Sequence, residues 1–394
     1  MKSKQIITVI FTIIFQTLLS MQYVYSCSLI KITANGKTII GNNEDFSNPD
    51  TRIWFQPGNG IYYGVVYVGY DNLFPEGGMN EAGLVFDAFA VPDKPVTDTL
   101  DKKIIFEYEL KKKIMTECAT VEEVKALINK CNISFWSHAV FIFADKTGKY
   151  LIVDGDSKNI CNNDYFVQTN FRQSEIKDEN EIDCWRYKKA ISMLRQNKET
   201  DINYCTSIMD SIHQGGTLYT TIYDTWDCIF YLYCFHNFNK PMIFNLKEEL
   251  KKGERILSIP ELFPDVQVAN YVKYCEFKSS INSILFSDLA KDSAKVNQIK
   301  SEFKNFQHTW YILLSSGYEA LHKKDISKAF AIFNLYIELF PESADGYDAI
   351  GEAYMEKKQY NLALMNYKHS VELKPESING KQRINVLMKL LEKE

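Results

Sequence analysis

The chain has 394 residues, close to half of them apolar and 14% aromatic, with a formal net charge of −5. This length and composition support one large core plus a smaller unit. No strongly basic block occurs, so the sequence carries no electrostatic footprint for nucleic acid or an anionic membrane. Its nine cysteines include no CxxC pair, which removes zinc-type spacing. No metal or cofactor is expected.

Residues 1–26 hold Lys2, Lys4 and no acid, followed by an apolar run from Ile6 to about Leu19. Val24 and Ser26 occupy the −3 and −1 places before Cys27, the pattern of a cleavable export signal. The run is short for a membrane span. Cleavage after Ser26 makes Cys27 the first residue of an exported protein. An odd cysteine count leaves at least one thiol free in a monomer, and Cys27 is the candidate.

"SLIKITANGKTIIG" then predicts a β-hairpin with Asn35-Gly36 at its tip. Two registers are open. A three-residue loop sets Cys27 opposite Asn43, with Asp45 diagonal. A two-residue loop sets Cys27 opposite Glu44, with Asn42 diagonal. In either register "NNED" returns to Cys27, and a carboxylate there is placed to orient an α-amine.

Strand-like runs continue through "IYYGVVYVGY", "AGLVFDAFAV", "HAVFIFAD", "KYLIVDGD", "DYFVQT", "TLYTTIYD" and "CIFYLYCF". Helical spacing falls at Ile104–Cys118, at Val121–Asn129 after the cap Thr120, and at Cys184–Arg195. His138 reads as a core histidine at a strand start, and Tyr219 and Tyr223 as packing residues. Many antiparallel strands with inserted helices give an α+β layered sandwich over 27–263. Residues 264–301 form a polar connector.

Residues 302–394 change character. Gly317/Gly351, Ala329/Ala363, Phe333/Tyr367, Leu339/Leu373 and Pro341/Pro375 all repeat at an offset of 34 residues. This resembles the tetratricopeptide repeat, with an all-α module of repeats at 310–343 and 344–377 and a capping helix at 378–391. Such a module implies a protein partner on its concave face.

A cysteine is nucleophilic as thiolate and needs a base. A terminal residue supplies its own, because an α-amine titrates at about 8. Around this thiol, "GNNEDF", "EGGMNEAGLVFD", "HAVFIFADKTGKYLIVDGD", "VQTNF" and "CWRYKKAISML" follow in order. The set resembles the choloylglycine hydrolase and penicillin V acylase family of N-terminal nucleophile hydrolases. The resemblance covers Cys27 to Phe263 and implies an αββα sandwich. It implies Cys27 as nucleophile, Asp45 as partner of its amine, Asn170 as oxyanion donor and Arg186 as the late active-site arginine. It implies a small N-acyl amide as substrate, cleaved or used as acyl donor.

Two positions depart from the family. Asn42 replaces an arginine, and Ala90 falls where bile-salt hydrolases carry a second oxyanion asparagine. Loss of one such donor slows a reaction roughly 100- to 1000-fold. Asn42, Asn80 or a backbone N–H are the substitutes within reach, and these changes argue against bile salts. Two other readings stand beside the amidase. "VYSC" partly resembles a lipidation signal, which would make the chain a lipid-anchored scaffold. An inactive relative that binds through the repeats is the other.

Overall fold

In the computed structural model of the chain, residues 27–98, 102–103, 105, 107–196, 201–266, 269–283, 297, 300–302, 309–375 and 377–392 are described. The leader expected over 1–26 lies outside them.

The strands are, in chain order, β1 (Ser28–Ala34), β2 (Lys37–Asp45), β3 (Thr51–Gln56), β4 (Val65–Tyr70), β5 (Pro75–Asn80), β6 (Val85–Ala90) and β7 (Ala139–Ala144). They continue as β8 (Tyr150–Asp154), β9 (Ser157–Cys161), β10 (Tyr165–Gln168), β11 (Thr217–Asp224), β12 (Ile229–Cys234), β13 (Met242–Asn245) and β14 (Arg255–Ser258). They build two antiparallel sheets, one ordered β10-β1-β2-β11-β12-β13 and the other β14-β3-β4-β5-β6-β7-β8-β9.

The hairpin that starts the first sheet is set by its turn. Asn35 (φ 52°) and Gly36 (φ 77°) are both left-handed, as a two-residue type I′ turn requires. The register is therefore Ala34 opposite Lys37 through to Ser28 opposite Asn43. Of the two registers open in the sequence, the two-residue one forms.

Alternation along the strands then sorts side chains into layers. Leu29, Ile40, Tyr219, Tyr223, Phe230 and Leu232 from the first sheet meet Ile53, Phe55, Val66, Val140 and Ile142 from the second in a core between the sheets. The outer face of the second sheet is covered by α1 (Glu107–Glu117) and α2 (Val121–Ile128), through Leu110, Ile114, Val124 and Ile128 on Phe86 and Phe141. The sequence predicts Thr120 as the cap of α2, and the structure adds a capping box with Glu123. The outer face of the first sheet is covered by α3 (Trp185–Gln196) and α4 (Ile202–Ile212), through Leu194, Ile208 and Met209 on Ile30, Ile39 and Ile222. The order of layers is helix, sheet, sheet, helix.

After a short helix, α5 (Leu246–Lys251), the chain is helical: α6 (Ala269–Ser283), α7 (Thr309–His322), α8 (Ile326–Leu339), α9 (Ala344–Glu356), α10 (Tyr360–Leu373) and α11 (Ile378–Leu391). From α7 onward each helix packs on the next. The glycines at the 34-residue offset sit under rings. A Cβ on Gly317 would lie 2.2 Å from the Phe333 ring, and one on Gly351 would lie 3.0 Å from Tyr367.

This helical part is seated on the sandwich. Asn48 Nδ2 donates to the Tyr311 hydroxyl at 2.9 Å, and Tyr311 meets the Phe46 ring edge-on at 5.5 Å. Lys278 of α6 donates to Asp50 at 2.8 Å and also to Asp71. All nine cysteines are free thiols.

Gly317→Val is expected to lower stability by about 1–3 kcal/mol through overpacking on Phe333. Trimming the ring with Phe333→Leu in the same chain should restore part of that loss. Thermal unfolding of both variants checks this; an equal loss in the double variant would place the strain elsewhere.

Candidate active site

Inward and outward positions alternate at the start of β1 and the end of β2. Cys27, one residue before β1, and Glu44 face inward, while Ser28, Asn43 and Asp45 face the α3/α4 layer. The Cys27 Sγ–H donates to Glu44 Oε2 at 3.5 Å and lies 3.9 Å from the Asp45 carbonyl oxygen. Glu44 Oε1 accepts from the Tyr70 hydroxyl at 2.5 Å, a contact made from the facing sheet.

On the outer side Arg186, in the first turn of α3, grips the residues at the start of β1. Its Nη1 donates to the Cys27 carbonyl oxygen at 2.7 Å and to Ser28 Oγ at 2.6 Å, and lies 3.9 Å from Asp45 Oδ2. Its Nη2 reaches Asn170 Oδ1 at 3.5 Å. Asp45 also accepts from Gln214 Nε2 at 2.7 Å and from the Thr217 hydroxyl. The pairing of β11 with β2 shifts register between Thr217 and Tyr219. This irregularity turns the Thr217 hydroxyl onto Asp45, the re-aiming that bulges commonly provide.

A cavity of about 500 Å³ is lined by Cys27, Glu44, Glu76, Asn170, Trp310 and Tyr311 among others. Acids dominate its surroundings. Burial, then the charge of Glu76, pushes the Glu44 carboxyl up to about 8. Burial pushes Asp45 up to about 6, against the lowering pull of Thr217, Gln214 and Arg186. Asp87, on the inward face of β6, is raised well above the carboxylate range by burial and then by Glu44. Burial raises the Cys27 thiol too, followed by the charges of Glu44, Asp45 and Asp87. In the uncut chain the thiol is therefore held neutral near neutral pH.

Four residues expected to act together do converge: Cys27, Asp45, Asn170 and Arg186. Asn170 Nδ2 donates to the Ala90 carbonyl oxygen at 2.9 Å, and a primary amide has a second N–H beyond that one. Asn80 is placed elsewhere. Its Nδ2 donates to Met115 and Cys118 carbonyls at 2.9 and 2.8 Å, and its Oδ1 accepts from the Ala82 and Leu84 amides, so its hydrogen bonds hold the β5–β6 turn against α1. Asn42 is buried between the sheets opposite Leu29 and Thr221 and does not line the cavity. Its Oδ1 has no hydrogen-bond partner among the described residues. His138 is exposed at the cavity rim rather than in the core, because β7 begins one residue later. Tyr219 and Tyr223 pack in the core as expected.

Sequence reasoning did not single out Tyr70, Glu76, Asp87, Gln214, Thr217, Trp310 or Tyr311. Asp87 alone leaves a signal, an acid at an inward place between Val85 and Phe89. Glu44 follows from the two-residue register once the turn is known.

No protein-family profile and no curated protein sequence matches the chain. Among solved structures it is similar to penicillin V acylase from Agrobacterium tumefaciens, at 15% identity and TM-score 0.45, over 58% of this chain and 90% of that one. It is also similar to a mutant conjugated bile acid hydrolase from Clostridium perfringens, at 18% identity and TM-score 0.46, over 59% of this chain and 96% of that one.

Glu44 binds its proton more tightly folded than unfolded, so its ionisation opposes folding. Its contribution to stability is present below the ordinary glutamate range and is lost as pH rises towards about 8. Glu44→Gln in the uncut chain is expected to gain Tm relative to wild type between about pH 5 and about pH 8. A difference in Tm that stays flat with pH would contradict that assignment.

Proposed function

We propose that this protein is an exported cysteine amidase that cleaves a linear N-acyl amide through an acyl-enzyme on Cys27. The observation that carries this reading is the Cys27 thiol facing a cavity at the chain start, beside Glu44, with Arg186 fixing its carbonyl on the opposite side. Removal of residues 1–26 frees the Cys27 α-amine a few bonds from the thiol.

That amine changes the electrostatics. As an ammonium it is complementary to Glu44, Asp45 and Asp87, and it offsets the acids that keep the thiol protonated. Proton transfer from thiol to amine leaves a thiolate beside its own counter-charge. The thiolate attacks the amide carbon, forming a C–S bond and an oxyanion. Asn170, a side-chain donor in the cavity wall, takes the role of oxyanion donor. The C–N bond then breaks, the leaving nitrogen takes the proton from the α-ammonium, and the free amine departs. Water, giving its proton to the α-amine, attacks the thioester. The C–S bond breaks, the carboxylic acid leaves and the thiol is restored.

Asp45 and Arg186 act as positioning residues. Asp45, held by Gln214 and Thr217, anchors Arg186, and Arg186 fixes the Cys27 carbonyl. The helical part, read as two tetratricopeptide repeats, adds a surface for a protein partner.

The test is a mass and N-terminal sequence of the exported protein, followed by turnover on a panel of N-acyl amides. A free Cys27 terminus is expected, with amide cleavage that falls roughly 1000-fold or more in Cys27→Ala. A diacylglyceryl adduct on Cys27 would favour the lipid-anchored scaffold. Undiminished turnover in Cys27→Ala would move the nucleophile elsewhere.

A further inference from the structure

A second cavity, of about 610 Å³, lies between the sandwich and α7. It shares Phe46, Asn72, Trp310 and Tyr311 with the cavity at Cys27, so the two are chambers of one cleft. Both fall within the roughly 300–1,000 Å³ typical of small-molecule sites. A compact amide fills the first chamber alone. A second chamber sharing its wall has room for a substrate that continues past Trp310.

The walls decide what kind of group that is. Leu314 and the rings of Phe46, Trp310, Tyr311 and Tyr318 supply apolar surface. The four charged residues in the wall answer each other. Lys278 is paired with Asp71 and, outside the wall, with Asp50 at 2.8 Å; Lys323 is paired with Glu319 at 2.6 Å. No charged side chain of the wall is left to hold an ionic group. Ring faces and an aliphatic side chain favour burial of hydrocarbon.

We infer that the chamber over α7 is a subsite for an uncharged, apolar distal group, so that the preferred substrate is an extended amide with a long hydrocarbon chain rather than a compact one. This rests on the amidase reading and assigns a part of the substrate site to α7, a helix beyond the sandwich. The first chamber keeps the scissile bond at Cys27, and the Phe46–Trp310–Tyr311 cluster forms the neck between the two. The rings there meet nearly edge-on, with interplanar angles of 83° and 85° from Phe46 to Trp310 and Tyr311.

The experiment uses the exported, full-length protein and two substrate series: N-acylglycines from acetyl to dodecanoyl, and N-alkyl acetamides from methyl to dodecyl. Ser315→Trp fills the second chamber from α7 without touching the reacting atoms. Binding of N-dodecanoylglycine and N-dodecylacetamide is followed in parallel by tryptophan fluorescence of Cys27→Ala, against the same background carrying Trp310→Phe, Ser315→Phe or Leu314→Phe. Wild type is expected to gain roughly tenfold or more in kcat/KM with chain length in one series. Ser315→Trp should abolish that gain, chiefly through KM, while leaving the shortest substrate unchanged. Length dependence that survives Ser315→Trp, or is missing from both series, overturns the subsite. If no member is turned over, the amidase reading falls, and the binding measurement alone decides the subsite. Saturable binding lost in Ser315→Phe and Leu314→Phe supports it, and binding absent or unaltered by them overturns it.

Discussion

Everything at the candidate site depends on a two-residue turn. Asn35 and Gly36 accept left-handed backbone, and that choice fixes the pairing of β1 with β2. A slip of one residue would exchange the two faces of a strand. Cys27 would then face the α3/α4 layer, and Ser28 would face the cavity. In the register that forms, alternation divides two adjacent pairs of residues between two tasks. Cys27 and Glu44 face the cavity. Ser28 and Asp45 face outward, where Arg186 donates to Ser28 Oγ and lies beside Asp45. Cys27 is thus held from behind by its own carbonyl, and its thiol is left to the cavity.

The second constraint is electrostatic. Buried charge is tolerated when it is paired or neutralised. Arg186 lies close to Asp45, and Lys111 is drawn to Glu107 at 3.1 Å and to the Pro75 carbonyl. Glu44 and Asp87 are left to resolve their burial mainly by keeping their protons. The same surroundings hold the Cys27 thiol neutral while its nitrogen is part of a peptide bond. On the proposed reading, cutting that bond creates the cation this acidic site lacks. Processing then does two things at once: it supplies the base, and it makes a thiolate tolerable.

Much of the fold was legible because it rests on local patterns. Alternating β-branched and aromatic residues marked the strands, Thr120 marked the start of α2, and the 34-residue offset placed small residues where α7 meets α8 and α9 meets α10. The convergence of Cys27, Asp45, Asn170 and Arg186 was legible only through resemblance, since spacing along the chain does not encode contacts between a strand end and a distant helix. Glu44 stayed ambiguous because "ANG" allows two loop lengths that put different residues beside Cys27. Asn80 was left open between a pocket role and a structural one. It sits in a turn between glycines, and its amide is turned inward onto the Met115 and Cys118 carbonyls. Sequence alone also divided the chain into a sandwich over 27–263 and a helical part over 302–394.

The two parts are packed against each other. Asn48 and Tyr311 are bonded across 263 positions of sequence, and the contact places α7 directly on the strand end that follows Asp45. Phe46 is the next residue, so the segment that carries Glu44 and Asp45 beside Cys27 also carries the ring on which α7 rests. Lys278 ties α6 to the same region through Asp50 and Asp71. Helical arrays transmit stability mainly between neighbours, so a disturbance far along α10 or α11 should fade before it reaches the sandwich. A disturbance in α7 has no such buffer. Its outer neighbours hold it in the helical stack, while its Trp310 and Tyr311 close the cavity at Cys27. One helix therefore belongs both to the helical stack and to the cavity wall, and on the proposed reading it is through α7 that the helical part would act on substrate selection.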